Sequence, residues 1–334
     1  MKKQKRLASI LLSLLFLYSN VSGIHAYSTI SMIQSGSKYI YSNNPEAVTG
    51  SVYGSNGKYT IEQALLKNTS YVFEYYHHNW TGSNKKFGIA IKNNNSTSAQ
   101  IRVVKEALTT SSNTLTASTT TLKNYGNSSK DVYVTIPANG TIFLQETTVQ
   151  GSNIVNGKIK FIPTKSNISA RVFFSSTSSS SNSIFNLSRA TSTNTSMTTG
   201  YFAHDTRYAN VDINNIHENT FYLSAYNSNT NEYETGSNVL GSSKLLGNFG
   251  IIYDIQLKNC SGKRIKITPN LDSPNATQAQ LVLWKNNNIG WYRTTYINDN
   301  SSTKYWLMSV PSDQNFKFSL PGGNFGNVKF EIID

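Results

Sequence analysis

Five histidines, seventeen acids and one cysteine are the groups from which a reactive site would have to be assembled in this 334-residue chain. His77 and His78 are adjacent in Tyr75-Tyr76-His77-His78-Asn79-Trp80. On a strand such neighbours point to opposite faces, so the two cannot readily chelate one ion, and a strand end is expected there. His204-Asp205 has the composition of half a triad, but adjacency in sequence does not create the imidazole–carboxylate hydrogen bond; an exposed strand or turn is expected. His217-Glu218 is followed by Asn219, Thr220 and Phe221, which breaks the HExxH zinc pattern. Ser35-Gly36-Ser37-Lys38 and Ser83-Asn84-Lys85-Lys86 match SxxK, yet both sit in turn-like contexts and the companion SDN and KTG motifs are missing. Gly322-Gly323-Asn324-Phe325-Gly326 has no following helix to complete a phosphate cradle and reads as a hairpin turn. Neither an EF-hand loop nor a carboxylate pair for glycoside hydrolysis stands out. The reading is of a non-enzymatic chain with no catalytic residue, no metal site and no cofactor.

The aromatic residues are the better candidates. Trp284, Trp291, Tyr292, Tyr305 and Trp306 fall within 23 residues and include three of the four tryptophans. Aromatic faces stack on sugar rings, and neighbouring Asn and Gln edges hydrogen-bond hydroxyls, so these five form a candidate ligand-binding set. The same rings would serve equally as core of a sheet pair, where large aromatics dominate packing. Tyr71, Phe73, Tyr75, Tyr76 and Trp80 form a second group open to the same two readings.

The elements that must carry these residues are strands. Apolar residues alternate with polar or small ones at Phe87–Ile91, Ile159–Phe161, Ile251–Leu257, Ile265–Ile267, Phe316–Leu320 and Val328–Ile332, the signature of an antiparallel sheet covered on one side. Asn/Gly/Ser clusters separate them at 54–57, 93–96, 139–140 and 286–288, where Asn and Gly accept the positive φ of turns. Helix is scarce. Thr60–Lys67 could make two turns with Thr60 as cap, and Thr119–Tyr125 another. The expected fold class is all-β: antiparallel, β-sandwich-like, two domains, one or two short helices. The Ser-rich run 175–183 has little apolar surface to offset the entropy of ordering. It sets an expected boundary, with 27–174 as an N-terminal sandwich, 175–198 as linker or long loop, and 199–334 as a C-terminal sandwich.

Lys2, Lys3, Lys5 and Arg6 precede an apolar run from Leu7 to Tyr18, and a short polar stretch ends at Ile24-His25-Ala26. This is the layout of a signal peptide over 1–26, cut after Ala26, with a cut after Gly23 the alternative. The run is shorter than the roughly 20 residues a spanning helix needs, and no later stretch would anchor the chain as a transmembrane helix. Export to the outside or the cell wall is therefore expected. The single Cys260 precludes an intramolecular disulfide, which suits Gram-positive export, and the Lys- and Asn-rich composition suits a low-GC Firmicute. The leader holds four cations and no acid, which leaves +9 of the formal +13 on the chain beyond it. Such a charge accommodates anionic partners such as teichoic acid or acidic polysaccharide, although scattered lysines serve solubility as well. No basic cluster is interleaved with aromatics as a nucleic-acid face requires.

Several segments together resemble a known set of proteins: Lys38–Glu46, Lys85–Asn93, Ile136–Gly140, His204-Asp205, Gly247–Tyr253 and Leu320–Gly323. Their order resembles a poorly characterised β-rich region of secreted clostridial and related Firmicutes proteins. Many of those carry a separate stalk domain, labelled copper amine oxidase N-terminal-like, that this chain lacks. The resemblance spans most of 36–334. It implies an exported surface or matrix protein and hands over no catalytic residues.

The functional expectation is a secreted, non-enzymatic binding or structural protein of the cell surface or extracellular matrix, in contact with cell-wall or extracellular polysaccharide. A β pore-forming toxin is the alternative, because Ser96–Thr121 could refold into a membrane hairpin. An extracellular polysaccharide or peptide hydrolase is the second alternative.

Overall fold

The computed structural model describes residues 30–191, 197–223, 234, 236–238, 244–269, 278–286, 288–295, 305–322 and 328–334. The first half of the chain forms β1 (Ile33–Ser35), β2 (Lys38–Ser42), β3 (Ala47–Thr49), β4 (Gly57–Leu65), β5 (Tyr71–Trp80), β6 (Lys85–Asn93), β7 (Ala99–Ser111), β8 (Val132–Ile136), β9 (Thr141–Val149), β10 (Ile154–Pro163) and β11 (Ile168–Ser175). The second half forms β12 (Thr199–Phe202), β13 (Thr206–Asp212), β14 (Thr220–Leu223), β15 (Gly236–Asn238), β16 (Ile252–Lys258), β17 (Arg264–Pro269), β18 (Gln278–Lys285), β19 (Asn288–Thr295), β20 (Trp306–Ser309), β21 (Asn315–Ser319) and β22 (Val328–Ile333). The α-helices are α1 (Gly50–Tyr53), α2 (Thr114–Asn127) and α3 (Ser181–Ile184). The fold is all-β and sandwich-like, as the alternation predicts. None of the described helices is long and apolar enough to cross a membrane.

Two sandwiches are built from four sheets. An eight-stranded sheet ordered β15-β12-β2-β5-β10-β7-β8, with β3 also on β5, faces a four-stranded sheet ordered β4-β11-β6-β9. The core between them holds Phe73, Phe87, Ile89, Ile159, Phe161 and Phe174. A six-stranded sheet ordered β1-β13-β16-β21-β18-β19 faces a second four-stranded sheet ordered β14-β22-β17-β20. Tyr253, Ile255, Phe316, Phe318, Ile267 and Phe330 fill that core. The alternation persists in the second sandwich, where β16 and β22 bury every other residue. In the first it is lost in β5 and β6, which are buried on both faces: Val72 of β5 packs into the core of the second sandwich, and Ile184, Phe143 and Phe185 cover the outer face of β6 at Ala90, where Gly88 also leaves room for close packing. A Cβ at Gly88 would stand 2.1 Å from the Gln145 carbonyl.

Strands cross the 175–198 segment in both directions. β12 and β15, from beyond it, extend the eight-stranded sheet beside β2, and β1, from before it, pairs with β13. The segment itself follows a defined path through residue 191. Ser180 caps α3, Ile184 is fully buried, and Lys86 Nζ donates to the Ser179 carbonyl at 3.1 Å.

Two local expectations are corrected. Residues 60–65, expected as helix, lie in β4 and pair with β11 around an irregularity at Val172/Phe173. The ladder and the burial of Ile61 and Leu65 outweigh a weak local preference. The 322–326 segment, expected as a hairpin turn, joins strands that do not pair: β21 lies in the six-stranded sheet and β22 in its four-stranded partner. Residues 323–327 lie outside the described set.

Helix α2 has a sequence poor in helix formers. Thr and Ser rank low in intrinsic propensity, and its stability comes from its surroundings. Asn113 caps it, accepting from Thr116 N at 2.9 Å. It lies between the eight-stranded and six-stranded sheets, against β7 and β10 on one side and β18 and β19 on the other. Its hydroxyls satisfy acceptors in both layers. Thr121 Oγ1 donates to the Asn156 carbonyl at 2.9 Å, Ser118 Oγ to the Gly322 carbonyl at 2.6 Å, and Thr119 Oγ1 to Gln280 Oε1 at 2.5 Å. The Ser96–Thr121 stretch considered above as a membrane hairpin is thus divided between a sheet strand and this packed helix.

Candidate functional site

A cleft of about 380 Å³ opens between the two sandwiches at the C-terminal end of α2, within the size range of small-ligand sites. One wall is the face of the six-stranded sheet turned away from its core. There the register aligns four side chains in a row across neighbouring strands. Ile289 is opposite Trp284, Trp284 opposite Lys317, and Lys317 opposite Asp254. Asn315 and Ile252 continue this face one step along β21 and β16. Lys317 Nζ donates to Asp254 Oδ2 at 2.6 Å and Asn315 Nδ2 to Asp254 Oδ1 at 2.9 Å, so both carboxylate oxygens are held.

The other wall comes from α2 and β7. Tyr125 is buried, with the Lys105 ammonium 5.6 Å from its ring centre. Lys105 Nζ also donates to the Gly126 carbonyl at 3.2 Å, a cation at the negative end of a helix. Gly126 fits closely against Trp284: a Cβ there would be 2.1 Å from the indole Nε1 and 2.7 Å from Ile289 Cδ1. The missing side chain lets the helix end close on the indole edge, leaving Trp284 half-buried in the cleft wall. Burial lowers the pKa of Lys105 below the ordinary lysine value, and nearby Lys160 and Lys317 lower it further.

The five aromatic candidates do not share one face. Trp284 lines the cleft. Trp291 stands opposite Val282 and Tyr292 opposite Leu281 in the β18–β19 register. Tyr305 and Trp306 belong to the other side of the C-terminal sandwich. Trp306 opens β20 and packs half-buried on the core, and Tyr305 is exposed with the Lys266 ammonium 4.9 Å from its ring centre. Sequence proximity concealed a core's thickness between them. In the second aromatic group Tyr71, Phe73, Tyr75 and Tyr76 are buried, whereas Trp80 is half exposed beside His78. Sequence reasoning missed Asp254, Asn315, Lys317, Lys105 and Tyr125 as site residues. For Asp254 and Lys317 the signal was present, because both occupy the wet positions of alternating strands.

His77, His78 and His204 each have structural partners. His77 is fully buried, with Nδ1 2.7 Å from the Pro45 carbonyl and Nε2 3.1 Å from Ser42 Oγ. Burial pushes its pKa down to about 4, partly opposed by the Pro45 hydrogen bond. His78, on the opposite face, meets the Ser152 carbonyl at 3.0 Å. His204 Nδ1 lies 3.3 Å from Glu234 Oε1 and makes no pair with Asp205. Asp205, expected as exposed, is buried and accepts from Ser37 N at 2.7 Å, because β1, β2 and β13 converge over it. Among the described residues no group of three or more His, Cys, Asp or Glu side chains could hold a metal ion.

A second polar cluster lies between the sandwiches without opening to a cleft. Lys158 Nζ donates to Glu74 Oε2 and to the Gly250 carbonyl, each at 2.6 Å. Tyr39 Oη lies 3.0 Å from both Glu74 Oε2 and the Phe249 carbonyl. Gly250 has φ +77°, and a Cβ on it would meet Glu74 Oε2 at 2.2 Å. Nearby, Arg207 pairs with Glu234 at 2.5 Å, both side chains almost fully buried. Segments 38–46, 204–205 and 247–253, which carry the resemblance noted above, meet in this region as its structural core.

No family model matches the chain, and no curated protein does either. Among solved structures, the chain is similar to the CUB1-EGF-CUB2 domain of human MASP-1/3, at 8% identity over 91% of this chain and 99% of that one, with a TM-score of 0.16. It is also similar to the N-terminal CBM22-1-CBM22-2 tandem domain of Paenibacillus barcinonensis Xyn10C, at 9% identity over 84% of this chain and 98% of that one, with a TM-score of 0.16. Superposition this low carries no functional argument.

Proposed function

We propose that this chain is an exported binding protein that holds a polysaccharide at the cell surface, without transforming it, in the cleft walled by Trp284. The carrying observation is the composition of that cleft. A half-buried indole stands in register with Lys317 and Asp254, Asn315 and Asn286 offer amide edges, and Tyr125 closes the opposite side. The negative face of an indole attracts the C–H face of a sugar ring, and fixed amide and carboxylate groups orient hydroxyls. The engagement of both Asp254 oxygens by Lys317 and Asn315 favours holding a ligand over transferring its proton.

The test is a pulldown on purified cell wall and on insoluble polysaccharides. Trp284→Ala is expected to lose about tenfold or more in affinity, in line with loss of one buried aromatic contact, while Trp306→Ala leaves binding unchanged. Equal retention of wild type and Trp284→Ala would remove this site. Fractionation of the expressing cell checks export: the mature protein is expected in medium or wall extract.

A further inference from the structure

The cleft described above is lined by three lysines, Lys105, Lys285 and Lys317, against two acids, Asp254 and Asp313. Lys160 of β10, which flanks the lining without being part of it, stands directly opposite Lys105 of β7 in the antiparallel register, so the two side chains leave the sheet on the same face. Like charges in directly opposed positions destabilise a sheet. Neither forms an ion pair among the described residues: Lys105 has only the Gly126 carbonyl and the Tyr125 ring, both uncharged partners. Of the two acids lining the cleft, Asp254 is taken by Lys317, and exposed Asp313 accepts from the Asn315 backbone with Oδ1. Lys285 adds a further ammonium group, donated to the Ser309 carbonyl at 3.3 Å. The lowered pKa of Lys105, caused first by burial and then by Lys160 and Lys317, is the electrostatic counterpart of this crowding.

Resting on the glycan-binding reading of the Trp284 cleft, we infer that its ligand is an acidic glycan, whose carboxylate or phosphate group sits between Lys105 and Lys160 while a sugar ring lies on Trp284. An anion there removes the like-charge repulsion and gains charge-assisted hydrogen bonds from two ammonium groups. A neutral glycan leaves the repulsion in place. The requirement is for an oxyanion near a pyranose ring. Carboxylate of a uronic acid and phosphate of a polyol-phosphate chain both meet it.

The experiment titrates the full mature chain with three probes: homogalacturonan oligosaccharides, poly(glycerol phosphate), and neutral galactan. Each is titrated against wild type, Lys105→Gln, Lys160→Gln and Trp284→Ala. Wild type is expected to bind at least one charged probe about tenfold or more tighter than galactan, and the charged probe that binds identifies the source of the anion. That preference is expected to shrink as salt rises from about 0.05 M to about 0.3 M. Each Lys→Gln change is expected to weaken the charged probe by about fivefold or more while leaving galactan unchanged. In the absence of probe each is expected to keep or raise the melting temperature, because it relieves repulsion. If Lys105→Gln does not fold, Lys160→Gln carries the same comparison from the neighbouring strand. Charged-probe binding unaffected by the lysine changes overturns the inference. Galactan bound as well as the charged probes, with loss only in Trp284→Ala, also overturns it and leaves the glycan reading standing. Binding of none of the three overturns both.

Discussion

At the scale of single residues, the polar groups with the greatest structural weight are those buried completely. His77 is held neutral, its Nδ1–H donating to the Pro45 carbonyl and its Nε2 accepting from Ser42, which in turn lies 2.6 Å from Thr60. Its folded pKa of about 4 lies below the ordinary 6.5, so the unfolded chain binds the extra proton first as pH falls. Stability from this residue is complete above about pH 6.5, declines between about 6.5 and 4, and is lost below that, a total of about 3 kcal/mol. Denaturant titrations of wild type and His77→Gln across this window are expected to show the slope in the first and its removal in the second. Parallel curves would mean that other groups carry the acid sensitivity. Cys260, buried with its thiol pKa raised by desolvation, is by contrast a core residue beside Gln314.

At the scale of elements, α2 shows why Ser and Thr abound in a part of the chain that is neither turn nor linker. A helix pressed between two sheets meets carbonyls on both sides, and short hydroxyl side chains reach them without widening the gap. Leu115, Ala117, Leu122 and Tyr125 supply its apolar contact. Removing two of the clamping hydroxyls in Ser118→Ala/Thr121→Val leaves buried acceptors unpaired, at about 1 kcal/mol or more each. Chemical denaturation is expected to record a loss of about 2 kcal/mol or more, and binding in the Trp284 cleft is expected to fall with it, because α2 carries Tyr125 and Gly126 into place. A double variant as stable as wild type would show that packing alone holds the helix.

At the scale of the whole molecule, two hydrophobic cores are tied by exchanged strands and buried charge. β1 lies on one sandwich and β12 on the other, and Lys158 and Glu74 of the first half reach Gly250 of the second. Whether 27–174 and 199–334 are folding units is decided by expressing each alone. Separation leaves β2 and β13 with unpaired edges, takes the Gly250 carbonyl away from Lys158, and opens the Lys158–Glu74 pair to water. The full chain is expected to unfold in one calorimetric transition, and each piece to unfold at lower denaturant than the whole. Two resolved transitions matching the separate pieces would refute this coupling. The formal +13 of the sequence belongs to this scale too: a net positive charge speeds encounter with any anionic polymer, whereas the proposed role of Lys105 and Lys160 is confined to contact.

Period-two alternation made the strand-rich class legible, together with the wet positions that became the cleft wall at Asp254 and Lys317, because the pleat imposes that pattern locally. Turn chemistry placed the breaks at 54–57, 93–96, 139–140 and 286–288. Which strands pair is a long-range matter on which local pattern is silent. So the fold alone decided that 60–65 extends along β11, that β21 and β22 fall in different sheets, and that Trp284 and Trp306 lie on opposite sides of a core. Only the tertiary structure brought Lys105 and Lys160, 55 positions apart by their residue numbers, side by side, and set Lys105 in one cleft with Trp284. Strand register, set by the packing of four sheets, has no counterpart in the spacing of residues along the chain.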